Sequence, residues 1–325
     1  MASNNETQIS PVLPSVPEGH IPVVASTDDN YAIPLMVMFI SLLENSNEPE
    51  TIHLFIIDGG VSEKKKADLI GSAESRGSQA TFLEIDSELY SEFPTRAHIS
   101  APAYYRISIP ELFDQKVERC IYLDCDLIVN RDIKELWEVD LDGYAVGAVE
   151  NVGATFKASQ LQQTDYFNSG VLVIDLKSWR ESGIPEKVRA FKLEHPELIS
   201  TNDQCALNGV FRGEWKRLPL SWNFQSGLYQ ESPQVDRFRQ SGELDGAIWD
   251  PCIIHYIGWS KPWVDHCFHP LEGEYRRYAD LSPHENQPRT EIPDHQRKRF
   301  VSLFKKKWRQ KAWQKKYKQQ GRTLY

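Results

Sequence analysis

The sequence predicts a parallel, three-layer α/β sandwich: one pattern points to it, and two further observations exclude a membrane span and a disordered chain. Short apolar runs that read as strands alternate with segments of helical periodicity from the first third of the chain onward. The longest apolar runs, such as 34–43 and 170–176, fall well short of the roughly 20 residues that cross a bilayer. A chain of 325 residues that is 40% hydrophobic, with nine Trp, has enough apolar surface to offset the entropy of folding, which excludes a disordered polymer.

The elements follow in order. Residues 21–26 (IPVVAS) form an apolar run that ends in the polar turn Thr27-Asp28-Asp29-Asn30, as a buried strand does. From 31 to 43, Ile33, Val37 and Ile40 recur at helical spacing. A second strand is expected over 53–57, then Asp58-Gly59-Gly60 and a helix opening at Ser62 with Glu63 in its first turn. A third strand is expected over 81–85. Further strands are expected over 119–123, 145–150, 170–174 and 253–256, and helices over 184–193 and 203–210. In such a sheet, ligands bind beyond the carboxyl ends of the strands. The first strand runs into TDDNYA instead of a glycine-rich dinucleotide fingerprint, and no P-loop is present. The usual NAD, FAD and P-loop nucleotide classes are thereby disfavoured.

The formal net charge of −9 conceals a division. Residues 1–296 carry 25 Lys/Arg against all 46 Asp/Glu, a net −21, while 297–325 carry twelve Lys/Arg and no acid. The start of the chain is polar and Pro-rich and lacks a charged end followed by an apolar core, so a cytoplasmic address is expected. Five Cys match no metal-ligand spacing and read as free thiols.

The chemistry concentrates in two places. In Ile121-Tyr122-Leu123-Asp124-Cys125-Asp126-Leu127-Ile128-Val129 an apolar strand ends in Asp-x-Asp and apolar sequence resumes. In an extended segment Asp124 and Asp126 project to the same side. Two such carboxylates stay ionised together only beside a cation, and hard oxygen donors suit Mn²⁺ or Mg²⁺. A solvated turn after a strand is the competing reading. The second place is His255-Tyr256-Ile257-Gly258-Trp259-Ser260-Lys261-Pro262-Trp263. His255 at a strand end can supply an imidazole ligand, Gly258 permits close backbone approach, and Lys261 can place a charge near a phosphate.

With these segments in hand, the chain resembles glycosyltransferase family 8, which includes glycogenin, bacterial lipopolysaccharide and lipooligosaccharide hexosyltransferases, and general stress protein A-like proteins. The matching motifs are ASTDDNYAIPL, HISAPAYYRISIPEL, YLDCDLIV, YFNSGVLVIDLKSW, TNDQCALN and HYIGWSKPW, in the family's order across 21–263. The resemblance implies a GT-A type, nucleotide-sugar Rossmann-like fold and transfer of a hexose from a UDP-sugar with retention. It implies Asp124, Asp126 and His255 as Mn²⁺ ligands, with Mg²⁺ as a substitute, and Gly258 and Lys261 as diphosphate contacts. Asp28 and Asn30 match the uracil-recognising positions, and Tyr31 matches a ring stacked on the base. Arg106 matches a basic residue near the donor sugar, and Asn168, Asp203 and Gln204 match the sugar end of the pocket. An amide is a poor nucleophile, so Gln204 favours a front-face mechanism over a covalent intermediate. Asn151 stands where the lipooligosaccharide galactosyltransferases carry Asp, which leaves UDP-glucose and UDP-galactose both open as donors. The runner-up is a non-catalytic, membrane-associated stress protein that binds UDP-sugars.

The tail interleaves charge with aromatic residues: Phe300, Phe304 and Trp308 recur every four residues, while Trp313 and Tyr317 drift off that stripe. Such a segment fits a basic-aromatic helix on an anionic membrane surface, with nucleic acid the less favoured partner. The expected organisation is a flexible 1–19, a catalytic domain over 20–282, a linker over 283–296 and the basic tail 297–325. The expected acceptor is a saccharide or glycolipid, met on the inner face of the cytoplasmic membrane.

Overall fold

A computed structural model describes residues 13–91, 93, 102–152, 165–199, 202–258, 261–265, 267–284 and 300–321. The first twelve residues, most of the expected linker, His98 to Ala101 of the second family motif, and Trp259 and Ser260 of the last one lie outside the described residues.

The sequence-predicted α/β sandwich is present. Strands β1 (Ile21–Thr27), β2 (Ile52–Asp58) and β3 (Gln79–Leu83) alternate with helices α1 (Ala32–Glu44) and α2 (Glu63–Glu74). A short helix α3 (Pro102–Tyr105) leads through a 3₁₀ segment, Arg106–Glu111, into β4 (Arg119–Leu123). Then come β5 (Leu127–Val129), α4 (Ile133–Trp137), β6 (Val146–Glu150) and β7 (Phe167–Asp175). Helices α5 (Leu176–Glu181), α6 (Ile184–Glu194) and α7 (Asn202–Phe211) follow, then β8 (Lys216–Arg217), a 3₁₀ segment Leu220–Asn223 and β9 (Phe224–Gln225). The chain closes with α8 (Pro233–Gln240), α9 (Glu243–Trp249), β10 (Ile253–His255), α10 (Glu272–Ala279) and α11 (Phe300–Gln319).

The main sheet has the order β3-β2-β1-β4-β7-β6-β8. Alternation along each strand sorts side chains onto two cores. Val23, Ala25, Leu54, Ile56, Ile121, Leu123, Val171 and Val173 face one cluster, which contains α1. Val24, Phe55, Ile57, Tyr122, Leu172 and Ile174 face the other, beneath α5 and α7. Helix α1 is buried nearly all round, because it lies between the sheet and the outer elements α2, β5 and α10.

One departure from the expected parallel sheet decides the site. Strands β1 to β4 are parallel neighbours, but β7 runs antiparallel between β4 and β6. Its amino end, not its carboxyl end, therefore lies beside the carboxyl end of β4, and Asp124 N–H donates to Gly170 O at 2.9 Å. A second, three-stranded sheet, β5-β10-β9, stands against the first. β5 and β10 are antiparallel with His255 opposite Leu127, and Tyr256 N–H donates to Asp126 O at 3.0 Å. That pairing brings His255 to the Asp-x-Asp segment.

The C-terminal half of α11 is docked on the body. Tyr317 is fully buried, and its hydroxyl donates to Ile248 O at 2.6 Å. Trp313 packs 5.1 Å from the Tyr229 ring and 6.1 Å from Trp249. Gln310 and Gln314 donate to the carbonyls of His269 and Pro270. Among the described side chains, the two aromatic residues that drift off the sequence stripe hold the helix. Lys307, Arg309, Lys311, Lys315, Lys316 and Lys318 are exposed. The side chains of Phe300, Phe304 and Trp308 lie outside the described residues. Among the described residues no helix is long and apolar enough to cross a membrane. All five cysteines are free thiols, as expected.

Candidate active site

The carboxyl ends of β1 and β4, the amino ends of β7 and α7, and the end of β10 converge at one edge of the sheet. Asp124, Asp126 and His255 present one ligand atom each, all within 4.8 Å of one another. His255 Nε2 lies 3.2 Å from Asp126 Oδ1 and 3.9 Å from Asp124 Oδ2. Behind them Gly170 leaves no room for a side chain: a Cβ there would fall 2.4 Å from His255 Cε1 and 2.6 Å from Asp124 Oδ2. Two hard carboxylates and one imidazole, crowded around a backbone that admits only glycine, form a donor set suited to a divalent ion.

Charge compensation around these acids is specific. Lys261 Nζ is paired with Asp126 and also donates to Tyr256 O at 2.8 Å. Burial works against ionising Asp126, yet the Lys261 charge and the neighbouring His255 ring hold its carboxyl far below the usual range. Arg106 is buried instead of lying on the surface of a helix. Its Nη2 is 2.9 Å from Asp124 Oδ1 and its Nε 3.1 Å from Asp203 Oδ2, and its guanidinium lies 4.4 Å over the Tyr122 ring. Burial pushes the Asp203 carboxyl above its ordinary value, with Arg106 opposing that rise and Asp124 adding to it. Removing one member of such a buried set typically costs about 3–5 kcal/mol, because the remaining charge is left uncompensated.

Asn151, Asn168, Ser169, Asp203 and Gln204 form a continuous polar chain. Gln204 Oε1 accepts from Ser169 N–H at 3.2 Å and from Asn168 Nδ2 at 3.1 Å, so its carbonyl oxygen is held by two donors. Ser169 Oγ donates to Asp203 at 3.0 Å. Asn168 Nδ2 also approaches Asn151 Oδ1 at 3.4 Å. At the end of β1, Asp28 Oδ1 accepts from the backbone amides of Asn30 and Tyr31 at 3.0 and 3.1 Å, which leaves its other oxygen as an acceptor. Asn30 is exposed, and the Tyr31 ring meets Trp263 edge-on at 5.9 Å. Burial, and then the negative Asp126, raise the Tyr31 phenol above its ordinary value. Gly258 has φ +86° with open space where a Cβ would stand.

The sequence-predicted residues thus form one assembly around Asp124, Asp126, His255, Lys261, Arg106, Asn168, Asp203 and Gln204, with Asp28, Asn30 and Tyr31 at the end of the neighbouring strand. Four participants were not foreseen. Tyr122 donates to Asp124 Oδ1 at 3.0 Å, and its place two residues before Asp124 on a strand signals a shared face. Ser169 and Gly170 sit beside Asn168 in the NSG segment, whose role depends on strand direction. Asn223 approaches His255 Nδ1 through its Oδ1 at 2.9 Å, and nothing local in LSWN announces it.

The mixed sheet thus gathers, at one edge, an acidic centre compatible with a divalent ion and a continuous polar chain beside it. The chain belongs to glycosyl transferase family 8, whose model matches residues 22–267. It is 37% identical over 266 residues to general stress protein A of Bacillus subtilis, covering 80% of this chain and 93% of that one. It is 24% identical over 267 residues to a lipopolysaccharide 1,2-glucosyltransferase of Escherichia coli, covering 80% and 78%. Among solved structures it matches the galactosyltransferase LgtC in complex with donor and acceptor sugar analogs. That match has a TM-score of 0.71 and 25% identity, over 86% of this chain and 99% of that one.

Proposed function

We propose that this glycosyltransferase moves glucose or galactose, with retention, from a UDP-sugar to a saccharide or lipid-linked acceptor, with Mn²⁺ or Mg²⁺ at Asp124, Asp126 and His255. The observation that carries the reading is the convergence of those three ligand atoms against the Gly170 backbone. When bound there, the ion supplies Lewis-acid neutralisation of a diphosphate leaving group. Lys261, held by Asp126 and the Tyr256 carbonyl, adds a second positive charge on the diphosphate side, and the Gly258 backbone allows close approach. The second oxygen of Asp28 and the amide of Asn30 suit the imide edge of uracil, with the Tyr31 ring against its face.

At the sugar end, Asp203 and Asn168 are assigned to donor hydroxyls, and Arg106 bridges Asp203 and Asp124, offsetting the repulsion between them. The Gln204 carbonyl, already engaged by Ser169 and Asn168, is a poor candidate for covalent attack. This supports front-face transfer, in which the departing phosphate takes the acceptor's proton. The exposed lysines of α11 support attachment to an anionic membrane surface on its cytoplasmic side.

The test is transfer and hydrolysis of UDP-glucose and UDP-galactose with and without Mn²⁺. Asp124→Ala and Asp126→Ala are expected to abolish the metal-dependent rate while the far-UV spectrum stays that of a folded protein, with the melting midpoint lowered by the uncompensated charge left behind. Wild-type rates in either variant sink the assignment. Likeness to a general stress protein favours one alternative, a UDP-sugar-binding protein without turnover. It predicts tight UDP-sugar binding with no product in single-turnover mixing across an acceptor panel.

A further inference from the structure

Asn223 is fully buried at the end of the 3₁₀ segment Leu220–Asn223, between Asn168 and His255. Its orientation follows from a single backbone group. Gly170 N–H can only donate, and it donates to the Asn168 side chain at 3.0 Å, so the atom there is the carbonyl oxygen Oδ1. That oxygen in turn receives Asn223 Nδ2 at 2.8 Å, so the nitrogen of Asn223 faces Asn168. The carbonyl oxygen of Asn223 therefore faces His255 Nδ1 at 2.9 Å. An amide oxygen only accepts, so Nδ1 carries a ring proton, and Nε2 is the nitrogen left to offer a lone pair to a bound ion.

We propose that Asn223 is a positioning residue: it keeps the proton of His255 on Nδ1, so that Nε2 turns its lone pair toward Asp124 and Asp126. The polarity is set by the Gly170 amide and relayed through Asn168. The same Asn168 donates its nitrogen to Gln204 Oε1, so one relay orients both the imidazole and the sugar-end amide. The relay matters to function through the metal reading above, on which this part of the inference rests. Without it, the Nε2–H tautomer would point a proton, not a lone pair, at the two carboxylates. Partners of this kind behind a ligating imidazole are worth roughly 10–100-fold in metal affinity.

The tautomer is read directly in the full-length, metal-free protein labelled with ¹⁵N-histidine, at pH 9, above the ordinary imidazole range. The His255 resonances are identified from their absence in His255→Gln. The expected wild-type spectrum has Nδ1 protonated, whereas a ring with Nδ1 bare and its proton on Nε2 overturns the proposal. Asn223→Leu is expected to lose the Nδ1–H signature and to raise the Mn²⁺ dissociation constant by about 10–100-fold in calorimetry. Retention of both the signature and wild-type affinity in that variant refutes the positioning role. Asn223→Asp, which keeps an oxygen opposite Nδ1 but sets its second oxygen against the acceptor Asn168 Oδ1, is expected to retain the Nδ1–H signature that Asn223→Leu loses. A role confined to packing predicts equal losses in both variants. Should Asn223→Leu fail to fold, the wild-type spectrum and Asn223→Asp decide. A wild type that shows the Nδ1–H signature yet binds no Mn²⁺ upholds the relay and removes only the metal reading.

Discussion

Replacing Gly170 by Ala is the most economical perturbation of this site, because it adds one methyl group and alters no ligand. The added Cβ would stand 2.4 Å from His255 Cε1, 2.6 Å from Asp124 Oδ2 and 3.0 Å from Asn168 Oδ1. Carbon atoms rest at about 3.5–4.0 Å, so something must yield by about 1 Å. If β7 backs away from β4, the 2.9 Å bond from Asp124 N–H to Gly170 O is strained. If the side chains yield, His255 and Asp124 leave their shared geometry. Overpacking of this kind costs about 1–3 kcal/mol in stability. A misplacement of about 1 Å costs on the order of 10²-fold in rate. Urea melts, Mn²⁺ calorimetry and UDP-sugar turnover of Gly170→Ala read the three consequences. Gly246→Ala is the matched control: nothing lies within 4 Å of its Cβ, and the position is in a helix, so a gain of about 0.5–1 kcal/mol is expected. Wild-type Mn²⁺ affinity in Gly170→Ala would falsify the close-packed ligand cradle.

Three further outcomes follow from the same geometry. Tyr317→Phe is expected to lose about 1 kcal/mol, since the Ile248 carbonyl loses its donor. Tyr317→Ala is expected to lose about 3–5 kcal/mol, both in urea melts of the full chain, and unchanged melts would mean that α11 does not share the body's folding transition. For pH, Asp126 has a folded-state value depressed below its ordinary 3.8, so its contribution is present above that value and is lost as pH falls below it. Metal-free unfolding between pH 6 and pH 3 (about the ordinary carboxylate range) should therefore show a steeper acid loss in wild type than in Asp126→Asn, and parallel curves would contradict the assigned compensation. Replacing exposed Lys307, Lys311, Lys315 and Lys318 by Gln should weaken binding to anionic vesicles about 10³-fold, at about 1 kcal/mol per Lys, with turnover on a soluble acceptor unchanged. Undiminished vesicle sedimentation would remove α11 as the anchor.

Some of this site was legible because its signals are local. The Asp-x-Asp pair announces itself through strand alternation, and the ends of β1, β2 and β4 through apolar runs that stop at polar turns. Arg106 was placed near the sugar only by resemblance. From the residues alone AYYR reads equally well as a helix with a surface Arg, and its burial is decided by Asp124 and Asp203 arriving from elsewhere. The short strands β8 and β9 escaped notice because two residues carry no periodicity. Helices α8, α9 and α10 are short too, and much of their apolar burial comes from tertiary packing.

What the amino-acid sequence determined by itself was the alternation of strands and helices, the acidic pair, the imidazole at a strand end and the division between an acidic body and a basic tail. Each is a property of neighbours along the chain. What the tertiary structure alone decided was direction and pairing. The antiparallel course of β7 carries Asn168, Ser169 and Gly170 to the edge where Asp124 ends, and the pairing of β5 with β10 brings His255 beside Asp126. The packing of half-buried Trp313 and the burial of Tyr317 join the tail to the body, and Asn223 finds His255 across the fold. These depend on hydrogen bonds and contacts between segments far apart in sequence, which local periodicity does not encode.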